Sequence, residues 1–327
     1  MEFASNPDLE TFRADWPGNP AERGRFVAYA DPIPLGLGHV LRHVARPNPQ
    51  RAAKRADGYR PASVREDLRQ PGDWVCWLGH ASFLIQLDGV RYLVDPVFGR
   101  LGLLRRRVAV PYALRELGPI DYVLLSHDHR DHCDEATLRA LGQTHDFTVL
   151  TSLGMRAVVA RWLDAGRHPI VEAGWYQHYP AGAGQPRVSF MPTQHWCRRY
   201  LRDDNRRLWG SFVLQGSARG VCFGGDSGYS PHFTEVARYF PGLDLALVGI
   251  GAYRPAGLMR PSHTSPAEAW QGFVDTGARR LMPMHYGTYD LSWEPPSEPL
   301  DLLRQAAREA GRPDDLVVGY VGEVVRL

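Results

Sequence analysis

The sequence predicts an α/β protein, with one large domain over residues 71–327 and an N-terminal extension over residues 1–70. Three observations carry that expectation. Apolar runs of strand length alternate with helix-like stretches from residue 74 onward, the pattern of sheets covered by helices. No linker or short-period repeat interrupts them. Hydrophobic residues make up 44% of the chain, nine tryptophans among them, which is enough for a sizeable core.

Each element has a local reason. The extension is rich in Pro and Arg and shows little periodicity, apart from a stripe of Leu37, Val40, Leu41, Val44 and Ala45 with basic neighbours. That spacing predicts a short amphipathic helix whose apolar face packs on the body of the protein; lying on a membrane surface is the other use of such a stripe. Residues 74–87 and 91–98 read as strands joined at Asp88-Gly89, a strong hairpin signal. A short buried strand follows at 121–126, then a polar loop and a helix over 134–141. Another strand is expected at 147–152, with a helix near 155–165 that Gly166 ends. Strands continue at 188–193, 211–216, 220–225 and 244–251. Ser265, Pro266 and Glu268 then mark a helix start, as N-cap, first helical position and capping-box partner. Apolar runs at 280–285 and 316–327 close the chain.

Charge and cysteine usage exclude several classes. Lys+Arg number 38 against 36 Asp+Glu, a net charge of +2. So small an excess argues against a nucleic-acid partner, which needs many phosphate contacts. Lys54 is the only lysine, a skew that reads as genome base composition. No apolar run reaches the length of a spanning helix, and the N-terminus is polar and acidic, unlike a secretory signal. Cys76, Cys133, Cys197 and Cys222 lack paired spacing, which predicts reduced thiols and a cytoplasmic location. Peripheral membrane contact and homo-oligomers both remain compatible with this composition.

The sharpest signal is His127-Asp128-His129-Arg130-Asp131-His132, which directly follows a buried apolar strand. A loop there can turn His127 and His129 to one point while Asp131 and His132 reach a second. His195, Asp226 and His285 each follow an apolar strand in the same way, where open α/β sheets gather their active-site loops. Counting donors predicts two cations. One takes His127, His129 and His195; the other takes Asp131, His132 and His285; Asp226 bridges them. Each then keeps a position for a shared hydroxide, the open coordination of a catalytic site. Imidazole suits zinc and related metals. Cys133 is an alternative ligand, set aside because the set is complete without a thiolate and a helix begins there.

These residues resemble the metallo-β-lactamase superfamily of hydrolases. The H-x-H-x-D-H motif and the later His, Asp and His match in order over residues 74–290. Within it the chain is similar to the branch of N-acylphosphatidylethanolamine-hydrolysing phospholipases D, through WLGHASFLIQLDGVRYLVDPVFG, SHDHRDHCD, TQHWCRR, GGDSGY, GIGAYRP, GLMRPSHTSPAEA and MHYGTYDLSWEPP. That resemblance implies an αββα sandwich, two zinc ions per protomer at one edge, and phosphodiester hydrolysis, with N-acylphosphatidylethanolamine or a related phospholipid as the expected substrate. Asp131, Asp226 and His263 are its expected catalytic residues. His263 is the candidate proton donor to the leaving alkoxide, because that branch carries a His in the matching stretch; a helix-start residue bonded to backbone is the other role open to it.

Substrate contacts are less sharply marked. Arg198 and Arg199 directly follow His195, and Arg105, Arg106 and Arg107 follow the 91–98 strand. Arginine forks pair with phosphate, and solvated surface charge is the alternative. Adjacent strand-like residues face opposite ways, so one of Arg198 and Arg199 is expected to point at the substrate. His80, in LGHAS, is expected near the substrate or behind a metal ligand. Leu101, Leu103, Leu104, Trp196, Leu258 and Met259 could line an apolar groove. Two other readings use the same ligands: a lactonase opening a phosphorylated sugar lactone, and a di-iron redox protein.

Overall fold

The computed structural model describes residues 1–33, 38 and 46–327. The amphipathic stripe at 37–45 lies outside the described residues. In the extension, β1 (Glu2–Ala4), β2 (Asn19–Glu22) and β3 (Arg25–Phe26) form a small antiparallel sheet, followed by α1 (Arg51–Ala56). Phe12 and Trp16 set their rings against Tyr176 at 5.9 and 4.9 Å, which fastens this segment to the body.

Two mixed sheets form the body. The seven-stranded sheet joins β4 (Trp74–Trp77), β5 (Phe83–Leu87), β6 (Val90–Val94), β7 (Tyr122–Leu125), β8 (Thr148–Ser152) and β9 (Ile170–Ala173), with β16 (Val324–Arg326) on the edge beside β4. The six-stranded sheet runs in chain order through β10 (Gln177–His178), β11 (Arg187–Met191), β12 (Ser211–Gln215), β13 (Gly220–Phe223), β14 (Leu245–Gly249) and β15 (Arg280–Met284). Side chains alternate faces along a strand, and the core divides accordingly. Val75, Trp77, Phe83 and Ile85 meet Phe190, Phe212, Phe223 and Leu245 between the sheets. Trp74, Cys76 and Leu84 point the other way, onto Leu138 and Leu141 of α2 (Glu135–Thr144) and Val158 of α3 (Arg156–Val159). On the opposite side α4 (His232–Tyr239), the short α5 (Ala256–Met259), α6 (Pro266–Thr276) and α7 (Glu298–Glu309) complete the layers. The result is an αββα sandwich.

Local signals explain most boundaries. Asp88 and Gly89 both take positive φ, 47° and 76°, as the tight turn between Leu87 and Val90 requires. The capping box of Ser265 and Glu268 starts α6. Three expectations need correction. The 74–87 strand divides into β4 and β5, because Gly79 and His80 take positive φ, 92° and 56°, and the Leu78 amide donates to the Ser82 carbonyl at 2.8 Å across the turn. The helix at 155–165 is regular only over Arg156–Val159; beyond it the Arg161 and Trp162 amides bond the Val158 and Val159 carbonyls at 3.2 and 2.9 Å, closing tight turns in place of a helix. The 316–327 run pairs with β4 only over Val324–Arg326, since Gly322 (φ 91°) kinks the chain just before it.

The topology decides where chemistry can sit. Strands β6, β7 and β8 run parallel in one sheet, and β13, β14 and β15 run parallel in the other. Their carboxyl ends therefore share one edge of the sandwich, and the loops leaving them converge there.

Candidate metal centre

The loop after β7 delivers His127, His129, Asp131 and His132, and α2 begins just beyond, capped by Asp134. His195 arrives after β11, Asp226 after β13 and His285 after β15. The structure brings all seven together. His129 Nδ1 lies 3.0 Å from His127 Nε2 and 3.1 Å from His195 Nε2. Asp131 Oδ2 stands 3.5 Å from His285 Nε2 and 3.9 Å from His132 Nε2. Asp226 Oδ2 lies between the two groups, 3.1 Å from His132, 3.2 Å from His285 and 3.9 Å from His195.

The donor set fits metal ions. Tetrahedral ligands at about 2.1 Å from a cation are about 3.4 Å apart, close to the separations observed. His132 Nε2 and His285 Nε2 are buried without a hydrogen-bond partner, a cost that a cation would remove. Protonation divides the ligands. Burial, reinforced by neighbouring imidazoles, keeps His127 well below its ordinary pKa, and burial does the same to His195. Burial opposes charge on Asp226 too, yet His132 and His285 outweigh it and hold the carboxylate well below its usual range. Burial works against charge on His132 and His285, yet the Asp226 carboxylate outweighs it and raises both, His285 to about 9, so binding a cation there would displace protons.

A buried outer layer fixes the ligands. His132 Nδ1 meets Asp95 Oδ2 at 2.7 Å, and Asp95 also accepts from the amide and hydroxyl of Ser126 at 2.8 and 2.5 Å. The Ser126 hydroxyl in turn lies 2.9 Å from His127 Nδ1. His195 Nδ1 donates to the Ser262 carbonyl at 2.9 Å. These contacts leave the opposite ring nitrogens facing the cluster. His80 and His285 take left-handed backbone conformations, φ 56° and 61°, at which side chains cost about 1–3 kcal/mol each.

The remaining expected residues divide. His263 lies at the cluster, with Nδ1 3.7 Å from Asp226 Oδ2, and burial pushes its pKa down to about 4. His80 Nε2 lies 3.1 Å from Asp131 Oδ2, and the residue offers a ring nitrogen within 4.8 Å of the Asp131, His132 and His285 donor atoms. Arg199 is buried beneath the ligand loop, bonded to the carbonyls of Asp128 and Cys133 at 3.0 and 2.7 Å. The expected fork toward substrate is therefore not what this side chain presents. Arg198 faces solvent, 3.3 Å from Asp204 and over the Trp196 ring. Arg106 is spent on the Val97 and Leu78 carbonyls, and Arg107 on the Tyr59 carbonyl. Cys133 is buried, its thiol pushed up to about 12, and forms no part of the donor cluster.

Sequence reasoning missed Asp95 and the buried Arg207–Asp128 pair. Asp95 carried the signal used for the others, a carboxylate directly after an apolar strand. The Arg207 pairing joins residues 79 positions apart and has no local signature.

Comparison with known proteins gives the family. The model of the β-lactamase superfamily domain matches residues 90–286. The chain therefore belongs to the β-lactamase superfamily, as a metal-dependent hydrolase. An uncharacterized protein of Mycobacterium tuberculosis is 35% identical over 243 residues, 71% of this chain and 63% of that one, so the match spans less than two thirds of that relative. An N-acyl-phosphatidylethanolamine-hydrolyzing phospholipase D of Caenorhabditis elegans is 30% identical over 274 residues, 78% of this chain and 76% of the relative. Among solved structures, an isothiocyanate hydrolase from Delia radicum gut bacteria superposes with TM-score 0.63 at 18% identity, covering 78% of this chain and 99% of that one. The diiron β-hydroxylase CmlA of Streptomyces venezuelae superposes with TM-score 0.57 at 20% identity, covering 79% and 55%. At those identities the two structures attest the fold alone.

Proposed function

We propose that the protein is a di-zinc phosphodiesterase of the phospholipase D type, acting on N-acylphosphatidylethanolamine or a related phospholipid. The observation that carries this reading is Asp226 Oδ2 lying within 3.1–3.9 Å of imidazoles from both ligand groups. A carboxylate so placed is what two adjacent cations share. The similarity to the nematode phospholipase D supports the substrate class.

His127, His129 and His195 would hold one zinc, and Asp131, His132 and His285 the other, with Asp226 between them. Bound zinc supplies Lewis acidity toward a phosphoryl oxygen and makes a bound water acidic at neutral pH. The chain's own groups do the rest. Partly buried His263 enters neutral, takes the proton that the attacking water gives up, and returns it to the departing alkoxide. One P–O bond forms and one breaks, giving a phosphomonoester and an alcohol. Asp95, Ser126 and the Ser262 carbonyl hold the ligand rings in register, so attack begins from a preset geometry.

Zinc reconstitution followed by parallel assays on phosphodiesters and on sugar lactones tests the reading. Turnover of diesters with about two zinc ions per chain is the expected result. Rapid lactone opening with diesters untouched would replace it with the lactonase, and iron in place of zinc would favour the redox reading.

A further inference from the structure

Two loops border the metal centre, and each carries a leucine that the fold does not use. The first follows β6. Leu101 and Leu104 exchange backbone hydrogen bonds at 3.0 Å to close a tight turn, and Leu103 at its tip is 98% exposed. Tyr289 ties this loop to the site, donating to the Gly99 carbonyl at 2.7 Å with its ring 5.2 Å from that of His80. The second loop follows β11. Its Trp196 ring lies 4.7 Å from that of His129, and farther along Leu201 is 90% exposed beside the exposed Tyr200. Among the described residues no other large apolar side chains are as exposed as these two leucines.

A single exposed leucine is ordinary surface. Here one stands on each of two loops whose bases touch the cluster, through Tyr289 at Gly99 and through Trp196. Their charges point the same way. Arg100, Arg105 and Arg202 are exposed on these loops and, among the described residues, form no ion pair. The nearby acids are already spent: Asp203 pairs with Arg207, and Asp204 with Arg25 and Arg198.

We propose that the two tips are a docking surface for an anionic phospholipid bilayer, with Leu103 and Leu201 entering the acyl boundary and the arginines meeting lipid phosphates. Apolar tips ringed by cations match a surface that is anionic outside and apolar beneath. A second copy of the chain fits less well, because a stable interface needs about 800 Å² per partner and two separated tips offer a small fraction of it. Docked this way, the mouth faces the membrane, so a phospholipid reaches the metals by a short outward displacement. The inference rests on the phospholipid reading for its purpose, but binding can be read without turnover.

The test is flotation of the zinc-loaded protein with vesicles of phosphatidylcholine alone or with phosphatidylglycerol added, at low and high salt. The expected result is binding to the phosphatidylglycerol vesicles, weakened by salt and lowered at least about tenfold in Leu103→Glu and in Leu201→Glu. Metal content and thermal stability of both variants should match wild type. No vesicle binding by wild type, or wild-type binding by both variants, would overturn the proposal. So would size-exclusion data in which Leu103→Glu dissolves a dimer and leaves vesicle binding intact. Vesicle binding without diester turnover would leave the docking surface standing and remove the phosphodiesterase reading instead.

Discussion

The Arg199 guanidinium donates to the Cys133 carbonyl at 2.7 Å, from beneath the loop that carries four of the candidate ligands. The same Nη1 reaches the Asp128 carbonyl at 3.0 Å, so one cation ties both ends of the 128–133 segment. Its guanidinium carbon lies 4.4 Å from the centre of the Trp162 ring. Asp128 is held in turn by Arg207. A loop with four candidate ligands in six residues cannot rely on regular secondary structure, and these two arginines stiffen it from behind.

Arg199→Ala should therefore act through the loop. It leaves two buried carbonyls without that donor and a gap against Trp162, a loss of about 2–4 kcal/mol in stability. Zinc affinity should fall with it. Arg198→Ala, at the solvent-facing neighbour, should change stability by less than about 0.5 kcal/mol. Chemical denaturation and zinc titration of both variants check this. Equal stability and metal binding in the two would mean that the buried contacts do not hold the loop.

Asp226 and Asp95 should separate by degree. Asp226→Ala removes the carboxylate between both ligand groups and should abolish binding of the second zinc. Asp95→Asn keeps the shape but weakens the acceptor for His132 Nδ1, so zinc affinity should fall about 10–100-fold with the stoichiometry retained. Competitive titration against a chromophoric chelator gives both numbers. Full stoichiometry in Asp226→Ala would contradict the shared-carboxylate arrangement.

Much of this site was readable from local sequence, and the reasons are physical. His127, His129, Asp131 and His132 announce themselves because a donor cluster directly follows an apolar strand. Asp226 and His285 follow the same placement in parallel strands. The direction of Arg199 was not readable, because it depends on Trp162 and the loop carbonyls, which only the fold brings near. The N-terminal sheet was missed for a related reason. β2 is Asn-Pro-Ala-Glu, poor in strand-forming residues, and Asn19 holds it in place by donating to the Ala4 carbonyl at 2.7 Å and accepting from the Trp175 amide at 2.9 Å.

Acid stability should depend on His232, which is not in the donor cluster but bonds Ser227, the neighbour of Asp226. It is buried between Ser230 and Ser227, 2.6 and 3.3 Å from its ring nitrogens, and burial pushes its pKa down to about 3. The folded value lies below the unfolded value of about 6.5, so the unfolded chain takes up the proton first. Its contribution is fully present above about pH 6.5 and is lost as pH falls, amounting to about 2 kcal/mol between pH 7 and pH 5. His232→Gln should remove that slope whatever it does to stability at neutral pH. Denaturant titrations of both proteins at the two pH values measure it; parallel pH dependences would refute it.

Hydrolysis of N-acylphosphatidylethanolamine in ¹⁸O-labelled water by the zinc-loaded protein, with products resolved by mass spectrometry, tests the central claim most directly. Attack at phosphorus with loss of the alkoxide predicts phosphatidic acid carrying one ¹⁸O in its phosphate and N-acylethanolamine carrying none. Label in the N-acylethanolamine, or an untouched lipid alongside a rapidly opened lactone, would contradict it.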